Sequence, residues 1–331
     1  MTTIRSVPLD DPAANSLWAA QQTELFVRYG EPDADEDFAL HMPPDALVTS
    51  LLAVAEGDEP AGTALLRWSP FDTGAGSVEV KRLYVSPGHR GRGIARELMT
   101  EIETAALRAG AVRIVLETGT AQPEALGLYD SLGYVRITPY GDYKEDERSV
   151  CFAKELPTRV LVVNGTIGAG KTKVAGAVFD LLAERGMRCA MIDGDYLSQA
   201  SPDAPGDAFN QGLMFENLAA VAPVYRANGY GCMVIARVVE DAADRARYTL
   251  AFSSAGGHAD LTIARVTAPE VERLSRITVR DHEPEWQAWG HARTVELEDS
   301  LDALGLDDVT VSNSGRLPSE TAAELVEKLG W

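Results

Sequence analysis

The chain has 331 residues, 45% of them apolar, and a formal net charge of −20. That length is enough for two domains of ordinary size, each with its own packed core. The excess of carboxylates argues against a nucleic-acid backbone or an anionic membrane surface as partner.

The N-terminus, Met1-Thr2-Thr3-Ile4-Arg5, lacks the basic-then-apolar layout of a signal peptide, and no apolar run approaches membrane-spanning length. The expectation is a cytoplasmic protein. Cys151, Cys189 and Cys232 stand far apart, as buried thiols of a reducing compartment do.

In chain order, Ser16 to Tyr29 places Leu17, Trp18, Leu25 and Phe26 on one helical face. An acidic stretch, expected to be mobile, follows over Glu31 to Asp37. Leu47 to Val54 and Gly62 to Trp68 read as strands, with Gly57-Asp58-Glu59 as a hairpin turn between them. Ser77 to Val85 is a third strand. It runs into Pro87-Gly88-His89-Arg90-Gly91-Arg92-Gly93-Ile94-Ala95, and a helix follows with Ile94, Leu98 and Ile102 on one side. A strand–glycine loop–helix unit of this kind points amides and a helix N-terminus at an anion, and Arg90 or Arg92 would add charge. A purely structural turn is the competing reading. Val112 to Glu117 reads as the next strand, and Val150 to Leu156 as the last strand of this half.

Several of these pieces together resemble the GNAT N-acetyltransferase superfamily. They are Arg90-x-x-Gly93-x-Ala95, Val80-Lys81-Arg82-Leu83-Tyr84-Val85, Glu117 to Glu124, and Leu128-Tyr129-Asp130-Ser131-Leu132-Gly133-Tyr134. The resemblance covers roughly residues 5–156. It implies a mixed, splayed sheet with acetyl-CoA in the cleft between two strands. The backbone of Leu83 to Val85 would pair with the pantetheine arm. The amides of Arg90, Gly91, Arg92, Gly93, Ile94 and Ala95 would hold the pyrophosphate. Tyr129 would protonate the leaving thiolate, and Glu79 would take the amine proton through water. A packing role for Tyr129 and a solvent-facing one for Glu79 are the plainer alternatives. His89 is a further base candidate, though a surface turn histidine is the simpler reading.

The second half starts after Pro157-Thr158-Arg159, so the domains are expected at 1–156 and 157–331. The apolar run Val160 to Val163 leads into Gly165-Thr166-Ile167-Gly168-Ala169-Gly170-Lys171-Thr172. This fits G-x-x-x-x-G-K-[ST], the phosphate-cradling loop of P-loop NTPases. Its glycines let successive amides face one anion. Lys171 brings charge to the β and γ phosphates of ATP, and Thr172 offers a hydroxyl to Mg²⁺. Val174, Val178, Leu181 and Leu182 continue as a helix, stopped near Gly186.

Arg188 to Ile192 is the next strand and ends in Asp193-Gly194-Asp195. Carboxylates at a strand's carboxyl end can orient a hydroxyl, take its proton or hold Mg²⁺. Asp195 is the candidate base, or else a helix cap. Asp193 is the candidate Mg²⁺ or substrate contact. The strand Gly231 to Ala236 ends in Arg237, where many P-loop proteins carry an acid.

This half resembles small-molecule P-loop kinases such as adenylylsulfate kinase and chloramphenicol phosphotransferase. The resemblance implies a three-layer α/β domain with a parallel sheet. It also implies a lid helix with Arg273, Arg276 and Arg280 near the transferring phosphoryl group, and adenine contacts from Ser312 to Arg316. Trp286, Trp289 and His291 would wall a substrate pocket or simply pack.

The whole reads as a bifunctional transferase, acetylating an amine and phosphorylating a small-molecule hydroxyl. The alternative is an acetyltransferase regulated by a nucleotide-binding domain.

Overall fold

The computed structural model describes residues 2–30, 42–202, 205–253 and 257–331. The acidic stretch Glu31 to Asp37 lies outside the described residues. The chain divides into two compact units, Met1–Leu156 and Pro157–Trp331.

The first unit opens with β1 (Thr3–Ser6) and α1 (Pro12–Tyr29), followed by β2 (Leu47–Val54), β3 (Pro60–Trp68) and β4 (Ser77–Val85). Next come α2 (Ile94–Arg108), β5 (Arg113–Gly119), α3 (Pro123–Ser131), β6 (Val135–Ile137) and β7 (Ser149–Glu155). Asp11 caps α1 by accepting from the amides of Ala13 and Ala14.

The seven strands order as β1-β2-β3-β4-β5-β7-β6. Only β4 and β5 run parallel among the registered neighbours; the other pairs are antiparallel. The period-2 alternation of strands sorts side chains to two faces. Leu51, Ala64, Leu66, Val78 and Val80 meet Ile94, Leu98, Met99 and Ile102 of α2. Leu52, Leu65 and Tyr84 meet Ala14, Leu17 and Trp18 of α1. Phe26, expected on the buried face of α1, is instead 53% exposed. The sheet-facing stripe of the helix has rotated past it by that turn.

The parallel pairing of β4 with β5 is registered from Ser77↔Arg113 to Val80↔Leu116. Beyond it the strands part. A bulge lies at the same place: Thr63 pairs Tyr84 and Leu65 pairs Lys81, so Arg82 and Leu83 oppose Ala64 alone. Arg82 accordingly sits at φ 55, a left-handed conformation that bulges use to re-aim a strand.

The second unit runs β8 (Thr158–Asn164), α4 (Lys171–Glu184), β9 (Cys189–Asp193), the single turn α5 (Gly194–Leu197), α6 (Gln211–Ala227) and β10 (Cys232–Ala236). It continues with α7 (Asp244–Ser253), β11 (Ala259–Thr267), α8 (Glu270–Arg280), α9 (Pro284–Leu304), β12 (Val309–Ser312) and α10 (Pro318–Leu329). All five strands are parallel, ordered β12-β11-β8-β10-β9. Both faces of such a sheet need helical cover. Leu161 and Val163 pack with Val174, Val178 and Leu182 of α4 and Leu325 of α10. Val160 and Val162 pack with Met214 and Leu218 of α6 and Tyr248 and Phe252 of α7. The result is three layers with β8 at the centre.

Candidate functional site

In the first unit, the parting of β4 from β5 opens a cavity of about 180 Å³. Its walls include Val80, Lys81, Arg82 and Leu83 from β4, and Glu117, Thr118 and Gly119 from β5. Gln21, Leu25 and Tyr29 enter from α1, and Tyr129 from α3. Gln21, Leu25 and Tyr29 are four residues apart, so one helical stripe covers the opening.

Tyr129 is buried, edge-on to Tyr134 and tilted against Phe152. Burial first, and then the negative charge of Glu117, hold its hydroxyl above the ordinary tyrosine range. It therefore keeps its proton at neutral pH. Glu117 accepts from Ser149 Oγ at 3.1 Å.

Glu79 sits differently from its expected role. It is 1% exposed and does not line the cavity. Glu79 and Arg67 are directly opposed across β4 and β3. Arg67 Nε and Nη2 reach Glu79 Oε2 at 2.9 and 2.7 Å, and the Tyr140 hydroxyl donates to Oε1 at 3.2 Å. A carboxylate held this way is a buried structural pair. Glu117, on the next strand, was not singled out as a base from the sequence. Its signal is positional: it is the first residue of β5 beyond the last pairing with β4.

The glycine loop leads from β4 into α2. Gly91 and Gly93 take φ 74 and 85, and Gly93 caps the helix start at Ile94. A Cβ on either glycine would meet nothing within 4 Å, so the loop faces open space. The first-turn amides of α2 lack intrahelical acceptors and suit an anion there. These residues fit the pyrophosphate of CoA. Arg92 is exposed, whereas Arg90 is already engaged. Its Nη2 pairs with Glu24 at 2.6 Å, its Nε donates to the Val85 carbonyl, and its guanidinium lies over Tyr84. Glu24 also pairs Arg28, which pairs Glu124. His89 is buried and bonded to Ser86 through Nδ1 at 2.9 Å, so it pins the turn and is no surface residue.

Residues 14–134 match the family model described as Acetyltransferase (GNAT) family. The first unit carries a GNAT acetyltransferase domain. An IAA acetyltransferase of Azospirillum brasilense is 40% identical over 86 residues, which are 26% of this chain and 56% of that protein. The uncharacterized N-acetyltransferase YsnE of Bacillus subtilis (strain 168) is 37% identical over 103 residues, 30% of this chain and 66% of that protein. The chain thus spans between about half and two thirds of these relatives' length. An acetyltransferase of the GNAT family from Staphylococcus aureus Mu50 aligns in structure at 15% identity and a TM-score of 0.38, over 47% of this chain and 99% of that one.

The cavity just described lies within the first unit; the second unit has a distinct glycine loop between β8 and α4. Gly165, Gly168 and Gly170 take φ 140, 80 and 107. A Cβ on them would fall 2.4 Å from the Val266 carbonyl oxygen, 2.6 Å from that of Arg273, and 2.4 Å from Asn313 Nδ2. The loop is clasped from outside. Thr294 Oγ1 donates to the Ile167 carbonyl, Asn313 Nδ2 to that of Ala169, and Arg273 Nη1 to Thr166 Oγ1. Lys171 Nζ donates to the Thr166 carbonyl at 3.1 Å. Burial lowers its pKa to about 8, with Arg237 and Arg280 adding to the effect and Asp195 and Asp193 opposing it. Thr172 follows on the first turn of α4.

Several expected contacts lie elsewhere. Arg276 braces the loop, donating to the carbonyls of Gly168, Ala169 and Asn313, and it also pairs with Glu272 at 2.8 Å, so its guanidinium is engaged by protein. Arg280 pairs with Asp281. Arg316 pairs with Glu324 and bonds the Ser312 carbonyl, holding the turn into α10. Asp193 caps α5 by accepting from Asp195 N at 2.9 Å. The capping reading thus applies to Asp193. Asp195 pairs with Arg237, which also donates to Gln211 Oε1 at 2.8 Å. Among the described residues no group of three His, Cys, Asp or Glu could hold a metal. Were a magnesium nucleotide to bind at this end of the sheet, Thr172 and Asp193 would be the protein oxygens to supply ligands. Trp286 and Trp289 are 63% and 41% exposed and edge-on to one another, while His291 bonds Thr278 and the Leu274 carbonyl.

Proposed function

We propose that this protein is a bifunctional transferase. The first unit transfers acetyl from acetyl-CoA to an amine, and the second transfers phosphate from ATP to a small-molecule hydroxyl. The observation that carries the acetyl reading is the cavity between β4 and β5, which brings Glu117 and Tyr129 to one wall system. Acetyl-CoA supplies an acetyl group activated as a thioester. Glu117 takes the proton of an incoming ammonium, directly or through water, so that the neutral amine can attack. Tyr129 gives its hydroxyl proton to the departing thiolate. In this assignment Glu117 takes the role that the sequence suggested for Glu79. The loop from Arg90 to Ala95 holds the pyrophosphate.

The phosphoryl reading is supported by the loop from Gly165 to Thr172, whose three left-handed glycines and Lys171, now bonded to the Thr166 carbonyl, suit a phosphate. Asp195 is the base of that reading.

A second reading has a specific observation in its favour. Arg237 pairs with Asp195 at the end of β10, so the candidate base is engaged by a cation. That favours a nucleotide-binding unit that regulates acetylation without turnover. Incubating the full chain with acetyl-CoA, MgATP and a panel of amino alcohols, and weighing the products, separates the two. Acetylated and phosphorylated masses support the bifunctional enzyme. ATP binding without phosphorylated product, with an acetylation rate that follows ATP and loses that response in Lys171→Ala, supports the regulator.

A further inference from the structure

We infer that Arg237 and Gln211 are positioning residues for phosphoryl transfer: Gln211 anchors the Arg237 guanidinium, which holds one oxygen of the Asp195 carboxylate and leaves the other for the acceptor hydroxyl. This rests on the phosphoryl-transfer reading of the second unit. Arg237 follows the last residue of β10, and its amide donates at 3.2 Å to the carbonyl of Val163, in the strand that feeds the glycine loop. Its side chain is buried, and a Cβ built on Gly194 would lie 3.1 Å from its stem. The glycine between Asp193 and Asp195 thus lets the arginine lie against α5.

Arg237 Nη1 donates to Asp195 Oδ1 and, at 3.2 Å, to Ser198 Oγ, while Nη2 donates to Gln211 Oε1 at 2.8 Å. An arginine only donates, so the Gln211 amide must turn its oxygen to Arg237. Its Nε2 then donates to Asp244 Oδ2 at 3.3 Å. Asp244 is fully buried, accepts from the amides of Glu240 and Asp241, and pairs with Arg247. A chain of bonds therefore runs from backbone through Asp244, Gln211 and Arg237 to Asp195. At its end the Asp195 side chain is 66% exposed, and its Oδ2 has no partner among the described residues.

In the transfer step the acceptor oxygen bonds to the γ-phosphorus of ATP as the bond from that phosphorus to the β–γ bridging oxygen breaks. ADP departs, and the hydroxyl proton passes to Asp195 Oδ2. A base works only within hydrogen-bond reach of the proton it takes, and an exposed carboxylate on a single helical turn is free to rotate away. Holding one oxygen removes that freedom and leaves the second accessible.

The test measures phosphoryl transfer from MgATP to the amino-alcohol panel, with transfer to water counted beside it, and MgATP affinity by calorimetry. The proteins are full-chain wild type, Gln211→Met, Arg237→Lys, Asp195→Asn and the double variant Gln211→Met/Asp195→Asn. Gln211 is half-buried and uncharged, so Gln211→Met keeps the fold even where Arg237→Lys does not. Gln211→Met is expected to lower kcat about 10-fold with MgATP affinity unchanged. Arg237→Lys should lose at least as much, because one ammonium cannot hold Asp195 and Gln211 together. Asp195→Asn should lower kcat about 10²- to 10⁴-fold, and Gln211→Met should cost nothing further in that background. An unchanged kcat in Gln211→Met overturns the inference. So does the same fold-loss with and without the Asp195 carboxylate, or a loss of MgATP affinity that matches the loss of rate. A wild type that binds MgATP and transfers phosphate neither to the panel nor to water overturns the phosphoryl reading itself, and the positioning role with it.

Discussion

Gly119 and Tyr29 are packed so closely that a Cβ built on Gly119 would lie 1.9 Å from the Tyr29 phenol oxygen. Both residues line the cavity, one at the end of β5 and the other at the end of α1. Tyr29 also accepts from the amide of Ala121 and lies beneath the Arg148 guanidinium. The glycine is what lets α1 close over the strand. Gly119→Ala is expected to cost about 1–3 kcal/mol through overpacking. Adding Tyr29→Ala should recover most of that loss. Urea denaturation of the two single variants and the double variant gives the coupling. Simple additivity would show that the two residues do not meet.

Glu79 and Glu117 separate cleanly by experiment. Glu79→Gln leaves the buried Arg67 guanidinium without its countercharge, and breaking such a pair costs about 3–5 kcal/mol. Surviving folded enzyme should keep its acetyl-transfer rate within a few-fold. Glu117→Gln should leave the denaturation midpoint nearly unchanged and cut the rate about 10²- to 10⁴-fold. Denaturation curves read beside steady-state acetylation decide it. The opposite pattern would return the base role to Glu79.

The depressed pKa of Lys171 predicts a pH window. The ordinary lysine value is 10.5, and the folded value is about 8. Between these values the unfolded chain holds more protons than the folded one, so stability rises with pH across the window. Below about 8 both states are charged and the full penalty of burying the charge is present. An anionic ligand favours the charged form, so nucleotide affinity should fall as pH rises above about 8, with proton uptake on binding. Calorimetry in buffers of different ionisation enthalpy measures that uptake. A Lys171→Met protein showing the same pH dependence would refute the assignment.

The loop glycines of the second unit should differ in tolerance. Gly165→Ala and Gly168→Ala drive a Cβ into backbone carbonyls of Val266 and Arg273, at left-handed φ. Gly170→Ala meets the side-chain amide of Asn313, which can shift by giving up its bond to Ala169. The first two should each cost about 2 kcal/mol or more, and the third less. Thermal denaturation ranks them. A Gly170→Ala variant worse than both would mean Asn313 is the rigid member.

Arg276 is expected to act on the loop from outside. Removing it with Arg276→Ala takes away donors to the carbonyls of Gly168, Ala169 and Asn313. Nucleotide binding should weaken about 10-fold or more, and Arg276→Lys should not rescue it, because a single ammonium cannot span three carbonyls. Full rescue by lysine would point to a charge effect on phosphate instead.

By itself the sequence determined the local units. Both glycine loops were legible because only glycine adopts their left-handed turns without strain, and the apolar period on either side marked strand and helix. The mixed sheet of the first half was implied by the family resemblance, whereas the short apolar run Val160 to Val163 itself suited a buried parallel strand. Tertiary structure alone decided which charged residues meet. Glu79 and Glu117 are both strand glutamates, and nothing local separates them. Register across β3 and β4 pairs Glu79 with Arg67, and the parting of β4 from β5 leaves Glu117 at the cavity. Likewise Arg90 meets Glu24, and Asp195 meets Arg237, through contacts far apart along the chain. Local periodicity is set by backbone geometry within a few residues, whereas ion pairing depends on where distant elements pack.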